Sequence, residues 1–131
     1  MKADWIELTA HQAKRGLLVA MEAAGDIPFP VQRVFFITQA DPSVVRGRHA
    51  HLRGDQMLVC TRGSCVLRLD DGVSMKEFVL DRPDRALHIG PLQWEEFLLS
   101  ADAVLLVLAS EPYDPANLID DPDEFLRVVD G

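Results

Sequence analysis

Between residues 33 and 109 the chain is cut into short apolar segments by glycine, proline and aspartate, and this rhythm limits its fold more than any other feature. "RVFFIT" (33–38) is aromatic and branched and ends at "ADPS". "QMLVCT" and "CVLRLD" flank "RGS", a tight hairpin containing Gly63, and "DDG" (70–72) turns the chain into "KEFVL". After "DRPDR" come "ALHI", "GPLQW", "EEFLLS" and "AVLLVLA" (103–109). Segments of this length, rich in β-branched and aromatic residues and bounded by turn formers, read as strands. No interior stretch of helical length holds a clean 3.6-residue period. The prediction is an all-β fold, a small jelly roll or β-barrel. The N-terminal "DWIELTAHQAKRGLLVAMEAAG" reads as two strand-like pieces joined by a polar turn, with "AMEAAG" equally suited to a helix. "PDEFLRVV" predicts a short C-terminal helix with Asp121 or Asp123 near its start.

A length of 131 residues suits a single domain spanning residues 1–131, with no repeat or long linker. The 48% hydrophobic share is enough to build a core. No unbroken apolar stretch opens the chain, and "AVLLVLA" is far shorter than the ~20 residues a membrane helix needs. A cytoplasmic protein without a membrane partner is expected. The net charge of −8 argues against a nucleic-acid partner. Acidic residues crowd the C-terminal end, whereas Arg33, Arg46, Arg48, Arg53, Arg62 and Arg68 gather in the middle. Such a local basic cluster on an acidic protein suits a small anionic ligand. Arg62 and Arg68 read as solvated strand residues. Arg46, Arg48 and Arg53 surround a pair of histidines. Cys60 and Cys65 are too few for a disulfide framework or a tetrahedral zinc site and read as buried small hydrophobes.

That pair lies in "VVRGRHAHLRGDQ" (44–56). On an extended strand His49 and His51 share a face and Ala50 takes the other. Two imidazoles facing a barrel lumen can bind a transition metal or move protons near neutral pH. His-x-His is a common fragment of cupin metal sites, which usually add a carboxylate a few residues on and a third histidine from a later strand. Here Gln56 stands downstream, a poor ligand, and Glu95 stands where the histidine belongs. Glu95 would complete a site of two histidines and one carboxylate. His88 falls on a different part of its strand, and His11 reads as a surface residue.

The stretch "RGRHAHLRGDQMLVCTRGSCVLRLDDG" (46–72) resembles the sugar 3,4-ketoisomerases that act on dTDP-4-keto-6-deoxyglucose, the FdtA/WxcM-like group of the cupin superfamily. The resemblance rests on Arg46, Gly47, His49, Ala50, His51, Gln56, Leu58, Cys60, Gly63, Ser64, Asp70, Asp71 and Gly72, taken in order. "RVFFI", the tryptophan of "PLQWEEF" and "DAVLLVLASEPYD" extend it over about residues 30 to 126.

The resemblance implies a cupin-type jelly roll and metal-independent chemistry with no cofactor. The substrate would be a dTDP-linked keto-deoxysugar. His49 and His51 become the catalytic pair, with His51 removing the C3 proton and His49 relaying protons to oxygen or C4; the reverse assignment stays open. Arg33 and Arg46 would hold the diphosphate or neutralise enediolate charge, since guanidinium forks match phosphate oxygens. Gln56 would bond a sugar hydroxyl or carbonyl. Trp94 reads as core, and Arg48 and Arg53 as pointing away from the lumen. The group tends to carry a tyrosine near the end of the strand before H-A-H. Here that strand holds none, and Tyr113, the chain's single tyrosine, lies in a late loop. A homodimer with exchanged N-terminal strands is implied. A metal-dependent cupin enzyme and a non-catalytic sugar-nucleotide-binding cupin are the alternative readings.

Overall fold

A computed structural model describes residues 1–130. One five-stranded antiparallel sheet has the order β1 (Ala3–Glu7), β9 (Arg85–Ile89), β6 (Gln56–Arg62), β11 (Val104–Ala109), β4 (Arg33–Ile37). A second faces it in the order β12 (Leu118–Ile119), β5 (Arg46–His51), β10 (Trp94–Leu99), β7 (Cys65–Asp70), β8 (Met75–Leu80). β2 (Thr9–Ala13) and β3 (Gly16–Ala20) form a separate hairpin. The all-β jelly roll expected from the segment rhythm is the fold observed.

The core lies between the two sheets and follows the period-2 pleat. β7 shows this directly: Cys65, Leu67 and Leu69 are buried while Arg68 is exposed. They meet Leu58, Leu87, Leu105 and Val107 of the facing sheet. Each fully buried leucine contributes about 1.5–3 kcal/mol. β6 breaks the alternation, with Met57, Leu58, Val59 and Cys60 all buried. Leu58 and Cys60 face the sandwich, while Met57 and Val59 are covered outside by Leu8, Val19, Met21, Ile27 and Phe29. The helix α1 (Pro122–Asp130) covers the outer face of the second sheet through Phe125, which packs with Ala50, Trp94 and Ile119. Trp94 is therefore core, as read. The helix begins where expected: Asp121 Oδ1 accepts from the Asp123 amide at 3.2 Å, and Pro122 takes the first turn, where its missing N–H costs nothing.

Three local readings change. The N-terminal segment forms three strands rather than two, because β1 separates from the β2–β3 hairpin at Leu8. "AMEAAG" is a turn, closed by Asp26 Oδ2 on the Glu22 amide at 2.8 Å and by the amides of Gly25, Asp26 and Ile27 on the Glu22 carbonyl. A 3-10 turn at Pro115–Asn117 and the two-residue β12 are too short to leave a periodic signal. "DDG" is structural, as expected: Asp71 Oδ1 accepts from the amides of Val73 and Ser74, and these bonds hold its carboxyl below the usual range. Among the described residues no helix is long and apolar enough to cross a membrane.

Candidate active site

A cavity of about 280 Å³ opens at one end of the sandwich, between β4, β6 and β11 on one side and β5 and β10 on the other. Its depth is apolar, with Leu58, Phe97, Leu105 and Val107, and its polar groups come mainly from β5 and from the rim loops.

Simple alternation along β5 would place His51, His49 and Gly47 inward and Arg46 outward. The strand does otherwise. Glu95 pairs with His49 and Glu96 with Gly47, so Arg48 is an extra residue opposite β10. Gly47 (φ +81°) and Arg48 (φ +58°) carry this bulge in left-handed backbone. Beyond it the facing resets: Arg46 pairs with inward-facing Phe97 and lines the cavity beside His49 and His51. Arg48 is turned to the outer groove formed with Trp94, Glu96 and Phe125, as the sequence reading placed it. A Cβ on Gly47 would meet Phe97 Cε1 at 2.8 Å and the Glu95 carbonyl at 2.9 Å, which explains the glycine between Arg46 and Arg48.

The two imidazoles stand edge to face with centroids 5.1 Å apart. They are not equivalent. His51 Nδ1 is 3.2 Å from Glu95 Oε2, and its Nε2 is 3.4 Å from Gln56 Nε2. A carboxylate accepts only, so Nδ1 carries the proton and donates, leaving the Nε2 lone pair for the amide. Among the described residues the His49 ring has no hydrogen-bond partner, although its backbone pairs with Glu95. His49, His51 and Glu95 also bring ligand atoms within 4.8 Å of one another, so a small closing movement would let them hold a divalent cation.

Arg33 enters from β4, where it and Phe35 alternate onto the cavity face while Val34 and Phe36 are exposed. Its guanidinium lies 4.4 Å over the Phe35 ring. Among the described residues neither Arg33 nor Arg46 has a carboxylate within salt-bridge distance. Arg53 behaves differently from both its sequence reading and these two. It lines the cavity instead of pointing away, because Asp114 (3.1 Å) and Glu111 (3.8 Å) hold it at the rim. Buried Asn117 locks that rim: its Oδ1 accepts from the Arg53 amide at 2.9 Å and its Nδ2 donates to the Arg53 carbonyl at 3.0 Å.

The expected residues Arg33, Arg46, His49, His51 and Gln56 thus converge on one cavity. Glu95 and Tyr113 join them. The sequence reading weighed Glu95 only as a metal ligand and set Tyr113 aside in a late loop. That loop returns to the cavity mouth, where Arg33 lies 5.2 Å from the Tyr113 ring centroid. "EPYDPAN" carried the available signal, since Asp-Pro marks a tight turn and Asp114 accepts from the Ala116 amide. His88 lies outside, 3.1 Å from Asp55 and against Phe29. Cys60 and Cys65 are buried and free, as expected.

Residues 1–130 match the family described as FdtA, WxcM-like, C-terminal. The chain is 42% identical over 116 residues to the TDP-4-oxo-6-deoxy-alpha-D-glucose-3,4-oxoisomerase of Aneurinibacillus thermoaerophilus, covering 88% of this chain and 84% of that protein. The crystal structure of a 3,4-ketoisomerase from Helicobacter canadensis superposes with a TM-score of 0.96 at 39% identity, covering 100% of this chain and 99% of the other. A histidine-to-asparagine variant of the 3,4-ketoisomerase from Thermoanaerobacterium thermosaccharolyticum, in complex with TDP-4-keto-6-deoxyglucose, gives 0.94 at 36% identity over 98% and 94% of the two chains.

Proposed function

The chain belongs to the FdtA family of WxcM-like, C-terminal proteins and is a sugar 3,4-ketoisomerase, and we propose that it converts dTDP-4-keto-6-deoxyglucose to a dTDP-3-keto-6-deoxyhexose by metal-independent proton transfer. The observation that carries the mechanism is His51, held between Glu95 and Gln56 in a cavity whose mouth has two unpaired arginines.

The C3 hydrogen of a 4-keto sugar is acidified by the adjacent carbonyl. His51 Nε2 takes that proton, the C3–H electron pair becomes the C3=C4 double bond, and the C4 oxygen gains the charge. The C4 oxygen takes a proton, the O3 proton leaves as C3=O forms, and C4 receives a proton, so two protons leave the sugar and two return. Every atom and electron is conserved, so no redox partner is required. Proton transfer by a positioned imidazole contributes about 10²–10⁴-fold. His49, 5.1 Å away and unrestrained, carries protons to and from O3, O4 and C4. Arg46 and Arg33 take the diphosphate or the enediolate charge, their forks suiting bidentate contact. Gln56 exchanges its bond to His51 for one to the sugar.

Incubation of the protein with dTDP-4-keto-6-deoxyglucose in deuterated water, followed by NMR, tests this. The expected result is a 3-keto product with deuterium at C4. Binding without deuterium entering the sugar would leave a sugar-nucleotide-binding cupin. The proximity of His49, His51 and Glu95 favours one rival, a metal-dependent enzyme. Stoichiometric metal whose removal by chelation abolishes turnover would establish that rival.

The same reading makes residues 1–131 one catalytic unit in the cytoplasm, a reducing setting that two free, buried thiols suit. It also makes the protein a homodimer with exchanged N-terminal strands, in which the partner's β1 takes the place that this chain's own β1 holds beside β9. The β2–β3 hairpin supports this, since among the described residues it pairs with no other strand and it exposes Leu17 and Leu18. A lone two-stranded hairpin is marginal in water. Light scattering should give twice the chain mass.

A further inference from the structure

Glu95 is a buried carboxylate, 4% exposed, that lines the cavity, whereas the other carboxylates along it, Asp55, Glu111 and Asp114, are open to solvent at the rim. Burying a carboxylate is costly unless it is paired and hydrogen-bonded. Among the described residues its one side-chain hydrogen bond is to His51 Nδ1 at 3.2 Å. The backbone gives it a choice of partners: its register partner across β10 and β5 is His49, yet the side chain reaches past to His51. Its neighbour Glu96 faces the opposite side of the sheet, in the outer groove. The pleat thus sends one of two adjacent glutamates inward, and the bulge beside it fixes β5 at the matching height.

From this geometry we infer that Glu95 is a positioning residue of the reaction, fixing His51 as the Nδ1–H tautomer so that its Nε2 lone pair is presented to the sugar. The inference rests on the ketoisomerase reading and deepens it. An imidazole can present a lone pair from either nitrogen, and which one is set by what the other bonds. A carboxylate behind Nδ1 holds the ring orientation and stabilises the imidazolium formed when Nε2 takes a proton. Gln56 occupies that lone pair in the free enzyme, and its amide is the group substrate displaces. His49 has no carboxylate bonded behind it, so it suits a relay that must change tautomer each cycle. Glu95 acts through His51, the side chain it bonds.

The test uses the full chain and Glu95→Gln and Glu95→Asp variants, with thermal melts to show that each is folded. Gln keeps the shape but can offer its amide N–H to Nδ1 and invert the tautomer. For Glu95→Gln, kcat should fall by about 10²-fold or more. KM should stay within about threefold, because a group acting through the base leaves ground-state binding alone. Glu95→Asp should recover part of kcat. Long-range ¹⁵N–¹H spectra should show His51 protonated at Nδ1 in the parent and lose that signature in Glu95→Gln. Parent-like kcat in a folded Glu95→Gln protein, or His51 protonated at Nε2 in the parent, overturns the inference, as does a metal ion bound by Glu95 in the purified protein. If the parent does not isomerise dTDP-4-keto-6-deoxyglucose, the functional reading fails separately, and the spectra alone then decide whether Glu95 sets the His51 tautomer.

Discussion

The guanidinium of Arg33 lies 5.2 Å from the ring centroid of Tyr113, joining the first residue of β4 to a loop 80 positions later. The contact holds an unpaired cation at the cavity mouth without neutralising it, as a carboxylate would. A cation over an exposed aromatic ring is worth about 0.5–1 kcal/mol. Tyr113→Phe keeps the ring and should leave kcat and KM close to the parent. Tyr113→Ala leaves Arg33 held by Phe35 alone and should raise KM for the sugar nucleotide about two- to fivefold. Steady-state kinetics on both variants separate a stacking role from one for the phenol, which would show as a loss of kcat in Tyr113→Phe.

The unequal bonding of the two imidazoles predicts unequal losses. His51→Asn should reduce kcat by at least about a hundredfold, since the base is removed. His49→Asn should cost less, and should slow deuterium delivery to C4 more than loss of the C3 hydrogen. Measuring both isotope fates in one NMR time course separates the two residues; equal effects on both steps would contradict the assignment.

The sandwich could be read from the sequence because strand alternation is local. Cys65, Leu67 and Leu69 against Arg68 need no knowledge of the facing sheet. The residue set of the site was also legible, since Arg46, His49, His51 and Gln56 lie within one motif. What escaped depended on long-range register. A bulge is invisible until β10 is laid against β5, and Glu95 acquires its partner only by that pairing. Arg53 was misplaced for a similar reason, because the carboxylates that hold it lie about 60 residues away, at Glu111 and Asp114.

Arg46 is expected to act on binding more than on turnover. Hydrogen bonds to charged groups contribute about 1.5–3 kcal/mol. Arg46→Ala should therefore raise KM by about 10- to 100-fold. Arg46→Lys keeps the charge but not the fork and should recover part of that loss. Free dTDP as a competitive inhibitor checks the assignment: its affinity should fall in parallel if Arg46 holds the diphosphate, and stay unchanged if Arg46 serves the enediolate.

The buried thiols predict a chemical silence. Burial, with Cys60 nearby, pushes the Cys65 thiol up to about 12, and burial raises Cys60 as well. The thiolate is the reactive form, so neither residue should react with a disulfide reagent near neutral pH until the protein unfolds. In the unfolded chain a thiol ionises near ~8.5. The folded state retains those protons longer, so stability should be full below that point and decline as pH rises toward the folded value. Urea melts across the alkaline range would show the decline.

Gly47 is the position where fold and chemistry meet most tightly. Its φ of +81° lies where a side chain is strained, and an added Cβ would sit 2.8 Å from Phe97 Cε1 and 2.9 Å from the Glu95 carbonyl. Arg48 already holds the next residue of the bulge at φ +58°. Gly47→Ala should cost about 1–3 kcal/mol in stability, through backbone strain and the clash with Phe97. It should also weaken catalysis, because relaxing the bulge would turn Arg46 out of the cavity and shift Glu95 relative to His51. Gly16→Ala is the control: its φ is +143°, but a Cβ there meets nothing within 4 Å, so it should carry backbone strain without loss of activity beyond that caused by unfolding. If Gly47→Ala loses stability but keeps parental KM and kcat at a temperature where it is folded, the bulge is a packing device only, and Arg46 reaches the cavity by another route.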